Sequence, residues 1–221
     1  MPYRPAFFVS SPTATQASSR SLPGTAREVK RIRDTLRREE AGAKVAVLMR
    51  ENATRTELFA KAPGSRYVHL ATHGLTDTSR RAEYSSLALT QPRVVTREDF
   101  GFLTLVDLLD NWWGKLANTE LVVLSACDTQ RGRIESGEGV FGMPWGFMYA
   151  GCPSVIASLW QVSDDSTAEL MAGLYAEIAA AEKRQDAVAK LTAFVKVRRA
   201  LRAKHRQPYY WAPFIYLGDP N

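Results

Sequence analysis

Seven short apolar runs, several of them β-branched, recur along the chain at residues 6–10, 45–49, 67–72, 87–90, 121–126, 155–162 and 214–217. They are mostly unbroken rather than alternating, as expected for interior strands of a parallel sheet covered on both faces. Between the first two runs, residues 22–38 space Val29, Ile32 and Leu36 as the apolar stripe of a helix. Residues 54–62 and 104–113 predict shorter helices, and 164–181 and 184–204 a long, Ala-rich helical region. Strands alternating with helices predict βαβ units, hence an α/β fold with a mostly parallel central sheet flanked by helices. The polar stretches 10–21 and 76–84 read as loops rather than linkers, and no repeat is visible. Residues 1–221 are therefore expected to form a single domain.

Composition leaves that picture intact. With 45% hydrophobic and 24% charged residues the chain has an ordinary globular balance, which excludes wholesale disorder. No apolar run reaches the roughly 18 residues of a membrane span. Residues 1–10 also lack the long apolar core of a secretory signal. Cys127 and Cys152 are the only cysteines, too few for a disulfide scaffold, so a reducing cytoplasm is the expected location. The net charge of +6 is concentrated in residues 27–38 and 196–206. Glu28, Asp34, Glu39 and Glu40 intersperse the first run, which reads as a solvated helix face. Neither run carries the aromatic platforms of single-strand binders, and direct contact with nucleic acid is not expected.

Chemistry enters at the ends of two apolar runs. Tyr67-Val-His-Leu-Ala-Thr-His-Gly74 ends in a histidine and a glycine, and Leu121-Val-Val-Leu-Ser-Ala-Cys-Asp-Thr129 carries a cysteine. Open parallel sheets place their sites along the carboxyl ends of the strands, so His73 and Cys127 are candidates to share one crevice. An imidazole beside a thiol favours the nucleophilic thiolate and can protonate a leaving amine. Gly74 lets its backbone N–H come close to a substrate oxygen, and the Cys127 N–H is a second candidate oxyanion donor.

Two other patterns lack their confirming context. Gly137-Glu-Gly-Val-Phe-Gly142 fits the spacing of a dinucleotide fingerprint, with Asp164 further on, but residues 128–136 separate it from the preceding strand. Its glycines fit a loop and a helix packed beside the active site, with Glu138 a loop carboxylate. His69 and His73, four apart on a strand, lie about 13 Å from one another, too far to share a metal ion. Cys152 reads as a packed small residue, and Tyr209-Tyr-Trp211 as core and sheet edge.

Several motifs then follow in a fixed order. Leu22-Pro-Gly-Thr-Ala-Arg-Glu28 opens the first helix; His69-Leu-Ala-Thr-His-Gly74 and Leu124-Ser-Ala-Cys-Asp-Thr129 hold the two reactive residues. Gly137-Glu-Gly-Val140, the stretch from Ala150 to Asp165 and Tyr210-Trp-Ala-Pro-Phe-Ile-Tyr-Leu-Gly-Asp219 complete the series. Together they resemble the CHAT domains of the caspase-like cysteine peptidases, a group that includes separases, metacaspases and gingipains. The separation of 54 residues between His73 and Cys127 is close to the ~50 of caspases.

The resemblance implies a caspase-like three-layer sandwich and a cysteine endopeptidase. In it His73 and Cys127 form the dyad, the Gly74 and Cys127 amides form the oxyanion hole, and the reaction passes through a thioester. It also implies that Asp164, with Asp165 second, lines a specificity pocket for Arg or Lys; Asp164 equally suits the start of a helix. No metal or organic cofactor is expected. The expected partners are a protein substrate and a separate regulatory or recruiting protein, within a regulated bacterial system, such as defence. A catalytically silent scaffold that docks a partner is the alternative. The chain departs from the family pattern at Gln130, at Trp145-Gly146 and at Gln207-Pro208.

Overall fold

The computed structural model describes residues 6–10, 23–39, 43–75, 85–126, 138–160, 164–184 and 190–220. In chain order the elements are β1 (Ala6–Ser10), α1 (Pro23–Glu39), β2 (Val45–Met49), α2 (Arg55–Lys61), β3 (Tyr67–Thr72), β4 (Gly74–Leu75), β5 (Ser86–Ala88) and β6 (Phe102–Thr104). There follow a π-helical turn at Asp107–Asn111, β7 (Leu121–Ala126), α3 (Glu138–Tyr149), β8 (Ser154–Ser158), α4 (Asp164–Lys183), α5 (Lys190–Lys204), α6 (Pro208–Trp211) and β9 (Phe214–Gly218).

Six strands form the main sheet in the order β2-β1-β3-β7-β8-β9. All neighbours pair in parallel except β9, which runs antiparallel on the outside of β8. β4, β5 and β6 make a small antiparallel sheet that continues directly from the end of β3.

The strand pleat divides the interior into two cores. Val68, Leu70, Val122 and Leu124 face one way, against Leu58 of α2, Leu108 and Trp112 of the π-helical region, and Phe147 of α3. Tyr67, Ala71, Leu121 and Val123 face the other way, against Val29 and Ile32 of α1, Leu174 and Tyr175 of α4 and Phe194 of α5. This is the three-layer arrangement that unbroken apolar runs require.

Three expectations need correction. The run at 155–162 pairs only as far as Ser158; the Leu159 N–H then bonds to the Pro213 carbonyl at 2.7 Å and the chain turns away. Glu138 is the first residue of α3, not a loop carboxylate, and α3 itself is absent from the apolar pattern because three glycines and Pro144 interrupt it. Tyr209, Tyr210 and Trp211 form α6 rather than part of the sheet: Trp211 packs half-buried against the second core, as expected, while Tyr209 is exposed. Cys152 is packed as expected, 1% exposed.

Candidate active site

β3 and β7 lie side by side in the middle of the sheet. Their parallel register runs from Tyr67↔Leu121 to Thr72↔Ala126. The next residue along each chain is His73 on one and Cys127 on the other. Cys127 itself lies outside the described residues, as do 128–137.

His73 occupies the joint between the two sheets, one residue past β3 and one before β4. Its carbonyl accepts a hydrogen bond from the Ala88 N–H at 2.9 Å, which fastens the joint to β5. Gly74 is buried and pairs with Leu87. His73 is 9% exposed, and its Nε2 has no hydrogen-bond partner among the described residues. A buried imidazole nitrogen without a partner costs free energy unless something else in the site meets it.

The aspartates assigned to specificity stand at the start of α4, on the chain that leaves the carboxyl end of β8, the strand next to β7. Both approach Arg27 of α1, Asp164 at 4.0 Å and Asp165 at 3.9 Å. Asp164 lies over Gly24, where an added Cβ would come within 2.0 Å of its carboxyl carbon. The side chains are 44% and 88% exposed. Asp164 is therefore held at the rim of the sheet edge, while Asp165 faces outward. Among the described residues no hydrogen bond or ion pair joins either one to His73.

Beside this edge lies a buried polar cluster that the linear pattern conceals. Glu28 of α1 is 3% exposed, so it does not belong to a solvated face as its charged neighbours suggest. Its Oε1 accepts from His69 Nε2 at 2.9 Å and its Oε2 from the Ser125 hydroxyl at 3.1 Å. The Tyr175 hydroxyl of α4 lies 3.4 Å from the other ring nitrogen of His69, and burial raises the Tyr175 pKa well above the usual phenol value. The ring of Phe8 meets His69 edge-on, with centroids 5.9 Å apart. The sequence signal was present: Glu28 stands four residues before Ile32, on the same helical stripe. His69 points into this cluster, and among the described residues no group of acids, histidines and cysteines has the make-up of a metal site.

The family-pattern departure at Trp145-Gly146 falls on α3. Trp145 is 59% exposed, and Gly146 fits between Leu105 and Leu108, whose methyl carbons would be 2.5 and 2.8 Å from an added Cβ. Among the described residues no helix is long and apolar enough to cross a membrane.

Comparison with known proteins adds the context. The model of one family, the CHAT domain, matches residues 2–219. No curated protein sequence matches the chain. Among solved structures, the crystal structure of the Arg-specific cysteine proteinase gingipain R (RgpB) is similar with a TM-score of 0.57 at 12% identity, over 97% of this chain and 46% of that one. The complex of the pro- and mature domains of RgpB from Porphyromonas gingivalis gives 0.56 at 12% identity, over 98% and 47%. At that identity the likeness concerns the fold, and this chain spans a little under half of either one.

Proposed function

Because the chain belongs to the CHAT-domain family and has the caspase-like α/β fold, we propose that it is a cysteine endopeptidase whose dyad is His73 and Cys127. The observation that carries the proposal is the β3–β7 register. It ends at Thr72↔Ala126, on adjacent parallel strands about 4.8 Å apart, and His73 and Cys127 each follow next in the sequence. The unpartnered Nε2 of His73 is what a histidine waiting for a thiol and a substrate would show.

The steps follow from these groups. The Cys127 thiolate attacks the scissile carbonyl carbon, and the carbonyl oxygen takes the charge, held by the N–H groups of Gly74 and Cys127. His73, carrying the proton, delivers it to the leaving amine as the C–N bond breaks, which leaves a thioester on Cys127. His73 then takes a proton from water, whose hydroxyl adds to the thioester, and the acid product leaves as the thiol is restored. Neither a metal nor an organic cofactor enters this balance.

Asp164, with Asp165 outside it, receives an Arg or Lys side chain before the scissile bond. Their approach to Arg27 supports this reading, since both already accept a guanidinium as neighbour. The substrate is another protein, cut at few sites, in a reducing compartment of a bacterial cell. A separate protein recruits or triggers the enzyme within a regulated system, of which defence is one kind.

Peptide-library cleavage by the wild type, C127A and D164A tests the proposal. Cleavage after Arg or Lys that C127A abolishes and D164A redirects is expected. Cleavage that persists in C127A would overturn the dyad, and an unchanged preference in D164A would overturn the pocket.

A further inference from the structure

The buried cluster around Glu28 belongs to neither the dyad nor the apolar cores, yet it occupies costly ground. A glutamate whose residue is 3% exposed, facing a histidine 0% exposed, is kept only where its hydrogen bonds are made. The surrounding residues, Phe8, Ala71, Val123 and Tyr175, are apolar or aromatic. Apolar side chains at positions 28, 69 and 125 together would fill the space without the desolvation cost. The arrangement therefore requires another explanation, which its geometry supplies.

The two oxygens of Glu28 reach two different strands. Oε1 meets His69 on β3 and Oε2 meets Ser125 on β7. In the sheet His69 stands opposite Val123, and Ser125 opposite Ala71, so one carboxylate bridges a diagonal step across the β3–β7 pair. Sliding either strand by two residues, the least shift that preserves its buried face, would displace its anchor by about 6.6 Å. Ser125 precedes Cys127 by two residues, and His69 precedes His73 by four. The same bridge ties both strands to α1, whose neighbour α4 adds the Tyr175 hydroxyl to His69.

We propose that Glu28 is a positioning residue: by bonding His69 and Ser125 together it fixes the strand register and depth at which His73 meets Cys127. This rests on the peptidase reading above. Misplacing reacting groups by about 1 Å costs on the order of a hundredfold in rate. Loosening this bridge should therefore affect the dyad before it affects the fold, which the two apolar cores on either side of the sheet sustain.

The electrostatic alternative has the opposite sign. Removing a nearby negative charge favours a thiolate, so a carboxylate acting only through its charge would make Cys127 more reactive when deleted. Positioning predicts less reactivity. Glutamine separates the two, because it removes the charge yet keeps both contacts. Its carbonyl accepts from His69, and its amide donates to a serine oxygen that both donates and accepts.

The test is the pH profile of iodoacetamide labelling at Cys127, in the full chain carrying C152A so that one thiol reports. The parent is expected to label with a midpoint below the roughly 8.5–9 of a free thiol. In E28A the rate at pH 7 should fall at least tenfold and the midpoint should move towards that of a free thiol, with circular dichroism native. E28Q should stay within about threefold of the parent, and S125A, missing one of the two contacts, should fall between. A folded E28A with the parental midpoint, or a faster E28Q and E28A alike, overturns the positioning role while leaving the dyad intact. If E28A does not fold, S125A decides: an unchanged midpoint there also overturns it. A parent that labels as an ordinary thiol overturns the dyad, and the positioning role with it.

Discussion

Cys152 should be chemically silent in the folded protein and should make the fold sensitive to alkali. It sits between α3 and β8 with 1% exposure, and its Sγ–H donates to the Ser154 carbonyl at 3.1 Å. Burial pushes its thiol up to about 11 from an ordinary 9.0. Two units mean about a hundredfold less thiolate near pH 7.5 than in the unfolded chain, before restricted access slows reaction further.

The same shift has a stability consequence. Between pH 9 and 11 the unfolded chain has lost the Cys152 proton and the folded chain retains it, so stability falls as pH rises through that window. The full loss is roughly 2–3 kcal/mol and is absent below pH 9. Urea unfolding of the parent and of C152A at several values from pH 8 to 11 measures it. Tyr67, Tyr175 and Tyr216, whose burial also raises their pKa values, contribute to both proteins, so the difference between the two curves isolates the thiol. Parallel curves across pH 9–11, or native labelling of Cys152 within tenfold of its rate in denaturant, would refute the reasoning.

Other perturbations have distinct signatures. Asp107→Ala should cost about 3–5 kcal/mol in urea unfolding, because it strands the buried Arg55 guanidinium and removes the acceptor for the Thr104 N–H at 2.9 Å. Phe8→Ala, at a fully buried ring that touches His69 and Tyr175 edge-on, should cost a similar 3–5 kcal/mol and lower the melting temperature accordingly. Lys204→Ala breaks an exposed pair with Glu169 and should change stability by less than about 1 kcal/mol.

The strands were legible in the sequence where covering by helices makes most positions of the strand apolar. β1, β2, β3 and β7 coincide with their apolar runs at both ends. Legibility failed where packing overrides local preference. α3 carries Gly139, Gly142, Pro144 and Gly146, residues that argue against a helix until Leu105 and Leu108 are seen to need the space at Gly146. Strands as short as β4 and β6 hold too few residues to show a period. At the candidate site, His73 and Cys127 were visible as polar residues closing apolar runs. Glu28 was passed over despite its place on the apolar stripe, since an acid among basic residues reads as surface, and its partners stand 41 and 97 positions away. Only the fold brings α1, β3, β7 and α4 to one point.

The central claim is that His73 activates Cys127. Intact-mass measurement of adduct formation with a peptidyl electrophile ending in arginine tests it most directly, in the parent, H73A and C127A. One adduct per chain at Cys127, none in C127A and at least a hundredfold slower formation in H73A is the expected result. Equal rates in the parent and H73A, or equal labelling of Cys152 and Cys127, would contradict it.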